Sequence, residues 1–434
     1  MEWAIEIEKK VQASGQDPPQ WRNWSIYEIP SVISNLNQKA YMPQMVSFGP
    51  YHYGKKCLEV MEEHKERALV QFLKRTRESL CSICHSLVDE AQKLKDSYRS
   101  LDDSWRRDTK SFLRLMVMDG CFMLEILRVV AETVHDYDSD DPVFGEHGKL
   151  YVLPLIRRDM LLLENQLPIL VLTKLLGATK KFDSEDEAVK SLSVLILGLC
   201  NPAAKHRNLG KCLHVLDLHR KSLLGKTHSN NVAQSRSKKL VRRLFRPRHV
   251  DENIVLRSAT ELQEAGIRFK KSPTRFLDDI SFKSGILRLP TIVVDDMTES
   301  TFLNLIAFER CHVGAGHEIT SFICFMDNIV EVGRDIRLLC SVEVLQNVTG
   351  SDKTAATLFN NMTKDLTLHP HGQLNDVQLK VAKYYREPWN KWRANLVHTY
   401  FRSPWAIISV VAAILLFGLT IVQAIYSILQ YEHS

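Results

Sequence analysis

Apolar residues recur along this chain mainly at three- and four-residue steps, the spacing of a helix with one buried face. Leu58, Met61, Lys65, Ala68, Leu69, Phe72 and Leu73 follow that rule, with the Lys65 stem lying along the apolar face. Residues 79–98 continue as a second helical stretch. Ser111 to Val130 is apolar almost all round, which marks a central core helix. Leu155 to Leu176 is a Leu-rich helical region interrupted at Pro168, and Phe302–Cys311 and Ile319–Cys340 are helical again. Ser258 to Lys271 is broken by Gly266 and followed by Pro273. Phe282 to Val294 alternates weakly, as a short strand or hairpin does. No internal repeat is visible.

Other stretches lack this period. Residues 1–25 are polar and read as a flexible N-terminal arm. Residues 26–54 carry Pro30, Pro43, Pro50, Gly49 and Gly54, too dense for a long helix, and predict an extended, turn-rich segment. The pattern divides the chain into a first half of a helical body over 26–225, a basic linker over 226–250, a second half over 251–400 and a terminal apolar run. The fold class is mainly α: a helical globular body with a short β element and one C-terminal transmembrane helix.

That last element rests on a run from Ser403 to Tyr431 without a formally charged side chain. Trp405 to Leu429 would form a helix of about 37 Å against a hydrocarbon core of about 30 Å. Lys383, Arg386, Lys391, Arg393 and Arg402 precede it, and no Lys or Arg follows. Positive-inside bias then places the body in the cytosol, in a tail-anchored, single-pass protein of the plasma membrane or endoplasmic reticulum.

Composition changes this picture little. The 434 residues are 45% hydrophobic and 25% charged, which excludes a disordered or collagen-like chain. The net charge of +6 is uneven: residues 205–248 hold 13 basic residues and one acid. Within that stretch Arg242, Arg243, Arg246 and Arg248, spaced by Leu244 and Phe245, form a basic amphipathic patch suited to lipid headgroups, with nucleic acid the weaker fit. An odd count of nine cysteines, most of them in apolar runs, reads as reduced thiols and not as a disulfide framework. Asn23, Asn347 and Asn361 begin glycosylation sequons, which matter only for a lumenal body.

Candidate chemistry is sparse. Cys81-Ser82-Ile83-Cys84-His85 has the form of a haem-attachment site, but a helix with two core-facing thiols explains it as well. Asp119 falls on the apolar side of its helix and must find a partner or neutralise; Arg157, Arg158 or backbone donors near Gly120 are the candidates. Glu164-Asn165-Gln166 sits between apolar runs, where it can satisfy backbone groups freed by Pro168. Asp295, Asp296 and Glu299 read as a helix start capped by Thr298, with cation binding the sharper alternative. Gly314-Ala315-Gly316 lacks the rest of a nucleotide loop. No catalytic, cofactor or metal residue is assigned, and no cofactor is expected.

Several segments, taken in order, resemble one plant family. Ile26-Tyr27-Glu28-Ile29-Pro30 leads to Met42-Pro43-Gln44-Met45-Val46-Ser47-Phe48-Gly49-Pro50-Tyr51-His52. Then come Met118-Asp119-Gly120-Cys121-Phe122, Leu163-Glu164-Asn165-Gln166-Leu167-Pro168, Asn304-Leu305-Ile306-Ala307-Phe308-Glu309 and Phe325-Met326-Asp327-Asn328. This set is similar to the family catalogued as domain of unknown function 247. The resemblance implies a mostly helical body and a C-terminal membrane helix, and it supplies no catalytic residues. Some members are associated with self-incompatibility in grasses and with floral development. The expectation is a membrane-anchored, non-enzymatic recognition or signalling protein acting through an unknown protein partner in reproduction or development. The alternative is an enzyme of undetected class using Asp119, Glu164 or the Asp295–Asp296 cluster.

Overall fold

A computed structural model describes residues 22–179, 182–204, 207–225, 256–364, 366, 373–390 and 404–432, with Trp3, Glu8 and Trp392. Its axis is the long helix that the apolar run from Ser111 predicts. Asp108 caps it by accepting from the Ser111 N–H at 3.0 Å, and it continues over Thr109–Val130. We call it α3, after α1 (Val60–Thr76) and α2 (Leu80–Val88). Residues 115–117 and 119–129 of α3 are buried, so other elements must cover it on every side.

Helix α1 lies along α3, burying Met61, Lys65, Ala68, Leu69 and Phe72 on that side. The expected stretch 79–98 is two helices, because the chain turns after Val88 and resumes at Ala91–Asp96. The Leu-rich region beyond residue 150 is likewise split, into α4 (Leu153–Asp159) and α5 (Ile169–Thr179). Helix α5 crosses α3 at Gly120, where an added Cβ would press on the Leu175 and Val171 side chains. Helices α6 (Glu185–Cys200) and α7 (Val215–Leu223) complete this half.

The second half is built from α8 (Ala259–Glu264), α9 (Thr298–Cys311), α10 (Glu318–Ile329), α11 (Gly333–Ser341), α12 (Asp352–Met362) and α13 (Gln373–Arg386). Thr298 does not cap α9 as expected: Met297 holds the cap position, and Thr298 is the first helical residue. Among the described residues, five short strands accompany these helices. β1 (Arg268–Lys271) pairs parallel with β3 (Ile286–Leu289), and β2 (Ser281–Lys283) pairs antiparallel with β3. β4 (Ile292–Val294) pairs parallel with β5 (Leu345–Asn347), with Val293 opposite Gln346. Buried apolar residues from Ile26 to Val381 form one continuous core across both halves.

The chain is therefore mainly helical with a few short strands, but the expected transmembrane helix from Trp405 to Leu429 is not supported. Helix α14 runs Pro404–Glu432. Among the described residues, however, no helix is long and apolar enough to cross a membrane. The transmembrane and tail-anchored readings are corrected accordingly. The basic linker 226–250, and with it Arg242, Arg243, Arg246 and Arg248, lies outside the described residues, as do residues 1–21 apart from Trp3 and Glu8.

Candidate functional site

The Pro- and Gly-rich segment 42–50 touches the surface at Gln44, is buried over residues 46–50, and belongs to no sheet. Buried backbone N–H groups need acceptors. Here they come from side chains of the loop between α4 and α5. Asp159, wholly buried at the end of α4, accepts from the N–H groups of Gln44 at 2.9 Å, Met45 at 2.6 Å and Val46 at 3.0 Å. Asn165 accepts from the Phe48 N–H at 2.7 Å and donates to the Val46 carbonyl at 3.0 Å. Glu164 accepts from the Ile29 N–H at 2.6 Å. Gln166 donates to the carbonyls of Met160 and Leu162 and accepts from the Leu216 N–H, so it also ties α7 to the loop. Burial raises the Asp159 carboxyl above its ordinary range, opposed by its backbone donors and Arg158.

Asp119 belongs to the same scaffold. One oxygen accepts from the Gly49 N–H at 2.7 Å, and the other lies 2.7 Å from Lys65 Nζ. The expected partners are elsewhere. Arg157 donates to the Cys200 carbonyl, and Arg158 donates to the carbonyls of Lys39 and Met42 and sits beside Asp159. Burial pushes the Asp119 carboxyl up to about 6, against the pull of Lys65. Lys65 also reaches Glu62 at 2.6 Å and Ser47 Oγ at 3.3 Å.

Two further buried carboxylates bind other elements together. Glu309 of α9 accepts from Arg220 of α7 at 2.7 Å and from the Ile319 and Thr320 N–H groups that open α10. Glu125 of α3 accepts from Arg75, Arg128 and Tyr137. Lys65, Asp159 and Asn304, whose amide bridges the Leu163 N–H and the Ala40 carbonyl, were not singled out by the sequence patterns. Lys65 alone left a trace, as a cation at an apolar helical position.

This arrangement bears on chemistry. A general base needs a lone pair open to a substrate proton. Asp119 gives one oxygen to the Gly49 N–H and the other to Lys65, whereas Glu164 gives one oxygen to the Ile29 N–H and its other lies 3.2 Å from His52 Nε2 without a hydrogen bond between them. Asp295 is turned onto the Thr298 hydroxyl and the Met297 N–H. Among the described residues no group of three or more His, Cys, Asp or Glu side chains could hold a metal ion.

A surface groove lies between the 31–41 segment, α9 and the end of α12. Leu36, Tyr41, Leu303, Ile306 and Met362 give it an apolar floor, with Arg310 at its edge. Asn361, one of the three sequon asparagines, is exposed on its rim. Asn23 is exposed in a turn, and Asn347 is half-buried, accepting from the Thr349 hydroxyl at 2.8 Å. The side chains of Trp405 and Leu429 lie outside the described set.

These features define a helical protein whose N-terminal segment is held by carboxylates and amides, with a groove of apolar floor among the described residues. The chain belongs to the plant family catalogued as domain of unknown function 247, described as "Plant protein of unknown function", whose pattern matches residues 26–419. It is 30% identical over 421 residues to the UPF0481 protein At3g47200 of Arabidopsis thaliana, covering 94% of this chain and 86% of the relative. It is 23% identical over 507 residues to the putative UPF0481 protein At3g02645 of the same plant, covering 97% and 93%. No solved structure matches significantly.

Proposed function

We propose that this chain is a non-enzymatic recognition protein that binds a protein partner through the groove between Leu36, Leu303 and Met362, in reproduction or development. The observation that carries the reading is the contrast between interior and surface. The carboxylates that suit catalysis, Asp119, Asp159 and Glu164, are engaged by backbone N–H groups and buried cations. The groove instead combines apolar side chains with Glu299, Arg310 and Lys364 at its edges, and its volume of about 100 Å³ suits one small apolar side chain of a partner with polar contacts around it. The enzyme alternative finds less support, since Asp119 is held by the Gly49 N–H and Lys65, and Glu164 by the Ile29 N–H.

Site-specific photo-crosslinking tests the reading. A photoreactive residue at Leu36, 50% exposed, should give one discrete protein adduct in plant extract. The same residue at Val70, 46% exposed on α1, serves as the control. Leu303→Arg should abolish the Leu36 adduct while leaving the melting temperature within a few degrees. Equal adducts at both positions, or none at Leu36, would overturn the groove as the recognition surface.

A further inference from the structure

The thiols of Cys81 and Cys84 take no part in the scaffold or the groove. Helix α2 starts at Ser79, whose hydroxyl accepts from the Ser82 N–H at 3.1 Å, so Cys81 is the second helical residue and Cys84 the fifth. Ile83 and Leu87 take the buried face. Cys81 is exposed, and Cys84 is half-buried at the edge of the core. Residues three apart on an α-helix have Cα atoms about 5 Å apart by helix geometry, within the 4.4–6.8 Å that a disulfide spans. Burial raises the Cys84 thiol, and the nearness of Cys81 adds to the rise.

We propose that Cys81 and Cys84 form a dithiol–disulfide couple that exchanges with small-molecule disulfides of the glutathione class. The exposed Cys81, as thiolate, attacks one sulfur of the incoming disulfide. A Cys81–glutathione bond forms, the glutathione disulfide bond breaks, and one glutathione thiolate leaves. Cys84 then loses its proton to solvent and attacks Cys81 Sγ. The intramolecular disulfide forms, and the second glutathione thiolate leaves. Two protein thiols are oxidised and one glutathione disulfide is reduced to two thiols, so no further oxidant is needed.

The helix makes this bond labile. Side chains three apart have Cβ atoms about 5–6 Å apart, whereas a disulfide holds them at about 3.5–4.5 Å. Closure must draw in the first turn of α2, which the Ser79 cap holds. Strained, accessible disulfides are the easily reduced ones. The site can therefore answer to the ratio of reduced to oxidised glutathione. It does not depend on the groove.

The test holds the full-length protein in glutathione buffers stepped from reduced to oxidised, followed by alkylation and peptide mass mapping. Cys81 and Cys84 should lose alkylation together, with their shared peptide two hydrogens lighter, and regain it on return to reduced buffer. Cys57, exposed in the Lys56–Leu58 turn, is the internal control. Cys84→Ser should trap glutathione on Cys81 at least ten-fold above Cys57, and Cys84→Ala should do the same if serine disturbs the helix. Independent modification of Cys81 and Cys84 in the unaltered protein, or trapping on Cys81 no greater than on Cys57, would overturn the proposal.

Discussion

Lys65 Nζ lies 2.7 Å from Asp119 Oδ1, and both side chains are wholly removed from solvent. The pair joins α1 to α3, and through Asp119 it also anchors Gly49. Two charges taken out of water are tolerated only while each satisfies the other.

Removing one partner is therefore worse than removing both. Lys65→Met leaves a buried carboxylate without its cation and should cost about 3–5 kcal/mol of unfolding free energy at neutral pH. The double variant Lys65→Met, Asp119→Leu should recover at least half of that loss. Urea denaturation followed by circular dichroism measures both. A single-variant cost below about 1 kcal/mol would show that the pair is solvated after all.

His219 sets a pH dependence of known sign. Burial holds its imidazole down at about 4, against an ordinary 6.5. Between those values the unfolded chain binds a proton that the folded chain refuses. The contribution is fully present above about 6.5 and lost as pH falls toward 4, by on the order of 3 kcal/mol. His219→Gln removes this term. Its stability relative to the unaltered protein should improve steadily from pH 7 to pH 4 in parallel melts, and a flat difference would contradict the assignment.

Gly49 has φ of +72°, and a Cβ there would lie 2.9 Å from both the Gln166 carbonyl oxygen and the Tyr98 hydroxyl. The left-handed backbone alone costs a larger residue about 1–2 kcal/mol. With the clash added, Gly49→Ala should lose more than about 2 kcal/mol in equilibrium denaturation. A change within about 0.5 kcal/mol would mean that the segment relaxes freely.

Asp159→Ala strips the acceptor from three consecutive backbone N–H groups. Val46 is buried and Met45 half-buried, whereas Gln44 is exposed; a buried donor left unsatisfied costs about 1–3 kcal/mol, so the loss should be about 2 kcal/mol or more. Hydrogen exchange across residues 42–50 should accelerate well beyond the rest of the protein. Uniform protection in the variant would show that those amides have other acceptors.

The helices were legible in the sequence because burial imposes a period on residues close together. Ser111–Val130 reads as a core helix and is one, extended to Thr109 by the Asp108 cap. Pro and Gly spacing likewise marked 26–54 as turn-rich. Pairings across distance were not legible. Asp119 looked for Arg157 or Arg158 because they are the nearest cations in a core-facing stretch, whereas its partner is Lys65, from the other direction along the chain. Asp159 carries no motif, since an acceptor of backbone N–H groups can be recognised only once those groups are placed beside it. The terminal apolar run misled in the opposite way: hydropathy and length suggested a span that the described helix does not support.

The Gln44–Asp159 bonds join positions 115 residues apart. A ribosome adds about 5–20 residues per second, so segment 42–50 exists for roughly 6–23 s before Asp159 is even made. Throughout that interval the apolar Met45, Val46 and Phe48 and their unpaired amides are open to wrong partners. The first half of the nascent protein cannot mature from its N-terminus onward. It must wait until the stretch 159–166 has been made and has left the ribosome.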